Sequence, residues 1–148
     1  QFERAEQLCG AAHAQYSAMH HEQGMSWVAQ VRAAIACDQH RLPEALALYR
    51  DALAIRLKHA DGQGFTRVLD EAAHVYGALG ENVLAVKLLS VADHTRQALG
   101  GHMTPFEQNV RDDLLARCRD RLGEPDWQQA WSDGQLLTQV GALQLIET

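Results

Sequence analysis

The chain has few cysteines and no long apolar run, and each scarcity argues against a class of protein. Its three cysteines, Cys9, Cys37 and Cys118, are odd in number and far apart, which fits a reducing cytoplasm better than a disulfide framework. No run of about 18 apolar residues occurs, and no basic segment followed by an apolar one opens the chain. The sequence therefore predicts neither a membrane span nor a signal peptide, and we expect a cytoplasmic location without membrane contact.

Positive charge, proline and strand-like alternation are also scarce. The 13 basic residues face 19 acidic ones, and the net charge of −6 opposes attraction to nucleic acid or anionic lipid. Only three prolines stand among many helix-favouring residues, and no stretch alternates apolar and polar residues as a half-buried strand does. With 47% hydrophobic residues in a chain of 148, we expect a single all-α domain that makes no direct nucleic acid contact.

A spaced trio of alanine, leucine and alanine recurs at an interval of 40 residues. Its spacing of i, i+3 and i+7 places the three residues on one stripe of a helix, where small alanines let a neighbouring helix approach closely. The copies are Ala5, Leu8 and Ala12, then Ala45, Leu48 and Ala52, then Ala85, Leu88 and Ala92. A repeated helix that needs a close neighbour predicts an antiparallel helix-pair solenoid.

Helix-breaking residues divide the chain into seven to eight helices. Gly24 and Gly134 are predicted to end helices, Ser26 to cap the second helix, and 61–64 to form a loop because it contains two glycines. The predicted helices are 2–21, 26–40, 43–60, 65–79, 81–99, 105–122, 125–132 and 138–146. They define a partial repeat at 1–24, repeats at 25–62 and 64–101, and C-terminal capping helices at 104–148, all within one domain at 1–148.

Other helix ends carry stronger signals. Pro43 suits the first turn of the third helix, and Gly80 and Gly100 follow the fourth and fifth helices as glycine commonly does. Residues 104–107 combine an N-cap threonine, a proline and a glutamate in the capping-box arrangement, and Thr138 is expected to cap the last helix.

The small residues of each helix pair resemble the pattern of the tetratricopeptide repeat. Large apolar positions of that pattern are matched by Tyr49, Tyr76 and Leu89. The small positions fall on Ala33, Ala45 and Ala52 and again on Ala73, Ala85 and Ala92. Ala29 and Leu69 replace the usual tryptophan, and the period exceeds the family's, which is about 34 residues. The resemblance implies a long-helix variant of the tetratricopeptide superhelix.

Residues 64–148 contain a series of ordered short motifs: 88–93, 96–100, Pro105, 122–124, Trp127, 130–131, Gly134 and Thr138. In these motifs the segment resembles the C-terminal region of large bacterial signal-transduction ATPases and LuxR-type transcriptional regulators. In that family a helical array follows a nucleotide-binding domain, so the resemblance implies a regulatory module. None of the family's ATP-binding or DNA-reading motifs occurs in this chain, and the first 60 residues match only as further repeats.

The helical register predicts a groove on the inner side of the array. If Ala33 and Ala73 are packing residues, the first helix of each repeat turns a matched set inward. The two sets are Trp27, Gln30, Ala34 and Cys37, and Arg67, Asp70, His74 and Gly77. One aromatic anchor among polar groups is typical of a surface that binds a protein, a peptide or a small effector. The alternative, that these residues cover the inner face or contact a neighbouring domain, stays open.

Residues able to bind metal or to act in catalysis are present but do not form a recognisable site. His13 with the 20–22 segment, and Cys9 with His13, share helix faces, but no second helix offers matching metal ligands. The Gly62-Gln63-Gly64 segment lacks the strand and third glycine of a dinucleotide fingerprint, and no Walker pattern occurs. We expect no metal and no cofactor.

Two further sets of residues are of types that enzymes use in catalysis. Cys37 with His40 could form an activated thiolate, but no oxyanion-stabilising group is apparent, and a packing cysteine is favoured. The sixth helix mixes aspartates with arginines such as Arg111, and pairs such as Asp113 with Arg117 are expected to brace an exposed helix face. The sequence therefore predicts a protein that is not an enzyme.

Two tryptophans and two histidines near the C-terminal end are not expected to bind a ligand. Trp127 and Trp131, at i and i+4, are predicted to lock the end of the array, and His94 and His102 to lie on a helix surface and in a loop.

The sequence favours a non-catalytic regulatory or sensor module of a larger bacterial signalling ATPase or transcription regulator. A free-standing peptide-binding adaptor is the alternative, and a small helical enzyme or metal protein is a third, less favoured reading. The chain begins with Gln1 instead of methionine, and its first helix looks like the second half of a repeat. We therefore expect a piece of a longer protein that self-associates through its N-terminal edge.

Overall fold

Residues 1–147, which the computed structural model describes, form eight α-helices and no strand. The helices are α1 (Phe2–Ala18), α2 (Glu22–Asp38), α3 (Leu42–Lys58), α4 (Gly62–Ala78), α5 (Asn82–Leu99), α6 (Pro105–Leu122), α7 (Glu124–Gln135) and α8 (Gln139–Glu147). The prediction of an all-α fold with seven to eight helices is confirmed.

The first five helices begin at a constant interval, so each 40-residue repeat consists of two helices of nearly equal length. They start at Phe2, Glu22, Leu42, Gly62 and Asn82. The turn before each of the last four contains one residue in the left-handed region: His20 at φ 53°, His40 at 60°, Ala60 at 54° and Gly80 at 80°. At these turns, backbone N–H groups donate to carbonyl oxygens in the last turn of the preceding helix. These hydrogen bonds satisfy carbonyls that would otherwise be unpaired at the helix end.

The turn at Ala60 shows this arrangement. The Ala60 N–H donates to the Leu57 carbonyl at 3.2 Å, and the Asp61 N–H donates to the Arg56 carbonyl at 2.9 Å. These bonds of types 5→2 and 6→1 form a Schellman motif, in which glycine is the preferred left-handed residue. Ala60 therefore carries a side chain at a position where a side chain is strained.

Replacing Ala60 by glycine is expected to raise the free energy of unfolding by about 1 kcal/mol, because glycine adopts the left-handed conformation without strain. The matched control is Ala54→Gly on the exposed side of α3, where the same substitution should lower stability by about 1 kcal/mol. Urea denaturation measures both effects, and a loss of stability in both variants would contradict the argument.

Several predicted helix ends are wrong because their glycines lie inside helices. Gly24 is in the first turn of α2, where its N–H donates to His21 Nδ1 at 2.8 Å, and Ser26 is buried within that helix instead of capping it. Gly62 and Gly64 belong to α4, and Gly134 belongs to α7. A Cβ atom added at position 24 would lie 2.5 Å from the Tyr16 ring. The lack of a side chain at Gly24 therefore permits this close contact, and the glycine does not end a helix.

The stronger end signals are confirmed. Pro43 lies in the first turn of α3, and Gly80 and Gly100 adopt the left-handed conformation after α4 and α5. Thr104 forms the capping box of α6: it accepts from the Glu107 N–H at 3.2 Å, and its own N–H donates to the Glu107 carboxylate at 2.8 Å. Thr138 accepts from the N–H of Gly141 at the start of α8.

The helices form two compact units, Gln1–Asp61 (unit 1) and a second that begins at Gly62 (unit 2), and each is described by itself. In unit 1, α2 packs against α1 and α3; in unit 2, α4 packs against α5, and α5 also contacts α6, α7 and α8. The predicted packing alanines Ala33, Ala45, Ala52, Ala73, Ala85 and Ala92 are all fully buried. This confirms helix-pair packing through small residues, while the single domain at 1–148 stays a prediction.

The alanine–leucine–alanine trio is buried to different extents in its copies. Leu88 is fully buried in unit 2, whereas Leu8, at the equivalent position of α1, is 55% exposed. Ala5 and Ala12 pack beside the buried Cys9, so the inner side of α1 still contributes to the core. Self-association through the exposed side of α1 stays a prediction.

Candidate binding surfaces

In unit 1 the predicted site residues lie on α2, and Trp27 is the most exposed of the three. Its side chain is 55% exposed and takes part in no hydrogen bond or ring contact with the residues that the structure describes. Gln30 is half-buried: the Arg56 guanidinium donates from Nη2 to Gln30 Oε1 at 2.6 Å and from Nε to Ser26 Oγ at 2.8 Å. Arg56 thus fixes polar groups of α2 on either side of Trp27 in the sequence.

Cys37 is the third predicted site residue of unit 1, and its surroundings are those of a cysteine that packs between helices. It is half-buried at the end of α2, and its thiol lies 4.0 Å from the Tyr49 hydroxyl of α3. His40, the residue that could activate the Cys37 thiol, occupies the left-handed position of the following turn.

In unit 2 the predicted residues lie on α4 and are buried to different degrees. Arg67 is exposed, whereas Asp70 and His74 are mostly buried. His74 Nδ1 lies 2.8 Å from the Asp70 carbonyl one turn earlier. The structure therefore brings Asp70 and His74 together and leaves Arg67 at the surface.

Asp70 belongs to a cluster of charged side chains between α4, α5 and α6. Its carboxylate pairs with Arg96 of α5, while Arg111 of α6 donates to Asp93 of α5 at 2.6 Å. All four side chains are at least four-fifths removed from solvent. Burial raises the pKa of Asp70 to about 6, although the nearby Arg96, Arg111 and His74 favour the charged form.

Four polar atoms of this cluster are buried without a hydrogen-bond partner among the described residues. They are Asp70 Oδ1, His74 Nε2, Arg96 Nη1 and Arg111 Nε. Unpaired buried polar atoms are rare in folded proteins and each costs free energy. Because they lie below the surface, an outside group reaches them only after a side chain moves.

Sequence reasoning missed Arg96, Arg111 and Asp93. Arg111 was expected on an exposed arginine-rich face, and this is wrong because it turns toward α5 and pairs with Asp93. Asp113 and Arg117 are both exposed, but within the described residues no ion pair joins them. The one local signal was the spacing of Asp93 and Arg96 on α5, which places both on the side facing α4 and α6.

The two tryptophans of α7 form a stacked pair. The Trp127 and Trp131 ring centroids are 5.7 Å apart with an interplanar angle of 12°, and the Arg119 guanidinium lies 4.5 Å from the Trp127 ring centroid. Arg119 also pairs with Glu124 at the start of α7. This stack joins α6 to α7, a geometry that suits the predicted structural role.

The histidines are dispersed in the structure. His94, expected on a helix surface, is half-buried with its Nε2 3.1 Å from the Leu137 carbonyl, so that placement is wrong. His102 lies exposed between α5 and α6, as predicted. Across the described part of the chain, no group of three or more potential ligands could hold a metal ion.

The fold defines a protein built of packed helix pairs over the described residues. In that part of the chain, no helix combines the length and the apolar character needed to cross a membrane. Comparison with family models, with curated proteins and with solved structures found no match in any of the three.

Proposed function

We propose that this chain is a non-catalytic interaction module that binds a protein or peptide partner, with Trp27 as the anchor on α2. The observation that carries the proposal is the exposure of this indole on α2, one helical turn before Gln30, whose amide oxygen is held by Arg56. Tryptophan is enriched among residues that dominate binding energy, and a polar surround that excludes water adds to its effect. Because Arg56 already orders the Gln30 side chain, a partner that contacts it would lose little additional side-chain entropy.

The wider context is proposed from the resemblance of residues 64–148 to signalling ATPases and LuxR-type regulators. A module of this kind acts in the bacterial cytoplasm and passes the binding event to a domain elsewhere in a larger protein. In unit 2, Arg67, Asp70 and His74 lie on α4, the helix that corresponds to α2, and are proposed to contribute to partner or effector binding.

The test is selection of binding peptides from a random 12-residue display library, followed by affinity measurement on three proteins. Selected peptides should bind the wild type with micromolar Kd, and Trp27→Ala should weaken them by at least about tenfold, the usual effect of losing an aromatic anchor. Phe106→Ala is the matched control, since Phe106 is another exposed aromatic, on α6, with 76% exposure.

Labelling with 5-fluorotryptophan supplies a direct readout, because each of the three tryptophans gives a separate fluorine resonance. The Trp27 resonance should shift on peptide addition while those of the stacked pair on α7 stay in place. Peptides that bind Trp27→Ala as tightly as the wild type, or a library that yields no binder, would reject the proposal.

A further inference from the structure

Unit 1 contains a cleft of about 270 Å³ bounded by α1, α2 and α3, on a side of α2 away from Trp27. It is lined by Glu6, Arg32, Ile35, Arg41, Glu44 and Leu48. Arg32 follows Trp27 by five residues, which at about 100° per residue places it roughly 140° around the helix. The cleft is thus separate from the surface on which the proposed function rests.

The cleft contains one cation that has no ion-pair partner among the described residues. Arg32 is half-buried and forms no hydrogen bond or ion pair with any described residue. Its guanidinium lies against α1, with Nη2 3.6 Å from the point where a Cβ on Gly10 would sit. A half-buried guanidinium with free donors is suited to a planar carboxylate.

Carboxylates also line the same cleft. Arg41 donates to both Glu6, at 2.7 Å, and Glu44, so two carboxylates share one guanidinium and the three groups together carry one negative charge. Ile35 and Leu48 supply the apolar part of the lining. The cleft therefore offers a positive site, a negative site and an aliphatic surface.

We propose that this cleft binds a single aliphatic α-amino acid in its zwitterionic form. The carboxylate pairs with Arg32, the ammonium group lies against Glu6 and Glu44, and the side chain packs on Ile35 and Leu48. The volume suits a ligand of about this size and is too small for a folded segment of a partner. A simple fatty acid matches the cleft less well because it has no donor for the carboxylates.

The test uses L-leucine as the probe, titrated into the full chain and followed by amide proton–nitrogen NMR spectra. We expect millimolar affinity, as befits a ligand of few atoms, with shifts confined to amides near 6–10, 32–35 and 41–48. N-acetyl-leucine lacks the ammonium group and leucinamide lacks the carboxylate, and each should bind at least tenfold more weakly.

Variants separate the cleft from general charge effects. Arg32→Gln should weaken leucine binding at least tenfold, and Arg32→Lys, which keeps the charge but loses the guanidinium fork, should lie in between. Arg50→Gln on α3 is the matched control, because Arg50 follows Leu48 by two residues and faces another side of α3. Trp27→Ala should also bind leucine normally, so failure of this inference and failure of the proposed function are distinguishable.

Three outcomes would overturn the inference. They are equal affinity for leucine and leucinamide, unchanged binding by Arg32→Gln, and absence of any shift at about 50 mM leucine, a concentration well above a millimolar Kd.

Discussion

Asp70→Asn is expected to raise the free energy of unfolding at pH 7 by on the order of 3 kcal/mol, although Asp70 forms an ion pair in the folded protein. Burial raises the pKa of this carboxyl to about 6, from an ordinary value of 3.8. Ionisation of Asp70 is therefore less favourable in the folded protein than in the unfolded chain, even after attraction to Arg96 is included. Asparagine mimics the protonated carboxyl and keeps an acceptor for the guanidinium.

The pH dependence of this effect has a definite sign. Because the folded-state pKa is raised, stability from Asp70 is fully present below about pH 4 and is lost as the pH rises through about 6. The gain from Asp70→Asn should consequently be largest at pH 7 and fall toward zero at pH 4. Urea denaturation of both proteins at several pH values measures this convergence.

Asp93→Asn is the matched control, and its effect should have the opposite sign. Asp93 also pairs with an arginine and has similar burial, but both of its oxygens are engaged, one by Arg111 and the other by Gln97 at 3.2 Å. Asparagine would keep one acceptor but lose the negative charge and the second acceptor, which should cost about 1–2 kcal/mol. A loss of stability in Asp70→Asn as well would mean that attraction to Arg96 outweighs burial.

The free-energy cost of burying the Asp70 carboxylate raises the question of why charged side chains lie between α4, α5 and α6. Replacing a buried ion pair by apolar residues often increases stability, so stability alone does not account for such a pair. Residues that conflict with local packing are common where a protein binds something. This is a reason, independent of Trp27, to test Asp70→Asn for altered partner binding.

The packing of the helix pairs could be predicted from the sequence because it depends on local periodicity. Alanines seven residues apart, such as Ala45 and Ala52, share a helix stripe. The pair recurs in three copies 40 residues apart, and such repeated small residues indicate a close neighbouring helix. Ala45 and Ala52 are both fully buried.

Helix ends were less predictable, because glycine has two uses that look alike in a sequence. Gly80 and Gly100 end helices in the left-handed conformation, whereas Gly24 and Gly62 sit inside helices under the side chains of Tyr16 and Leu99. The true turns at His20, His40 and Ala60 carry no glycine. Their common interval of 20 residues was the available signal.

The candidate residues of α4 could be placed on one face by helical register, but their partners could not. Asp70 and His74 are one turn apart, so local geometry brings them together. Arg96 and Arg111 reach them only through the packing of α5 and α6 onto α4, which no local pattern reports. Arginine also has a long side chain, so its sequence position alone does not indicate where its charge lies.

The contact between α5 and α7 supports the second prediction with a large expected effect. A Cβ at Gly134 would lie 2.6 Å from Ser90 Cβ and 2.7 Å from the Lys87 carbonyl oxygen, which belongs to the backbone and cannot rotate away. Ser90 Oγ also donates to the Trp131 carbonyl at 2.7 Å and accepts from Gln135 at 2.8 Å. Gly134→Ala must therefore push α7 away from α5 and stretch these bonds.

We expect Gly134→Ala to lower the free energy of unfolding by about 2–3 kcal/mol, since overpacking and weakened hydrogen bonds outweigh the better helix propensity of alanine. Gly10→Ala in α1 is the matched control. The nearest atom to its new Cβ is Arg32 Nη2 at an ordinary 3.6 Å, so helix propensity should prevail and stability should rise by up to about 1 kcal/mol. Thermal and urea denaturation compare the two variants directly. Equal gains in both would show that α7 can move from α5 without cost, and the Trp127–Trp131 stack would then not depend on this contact.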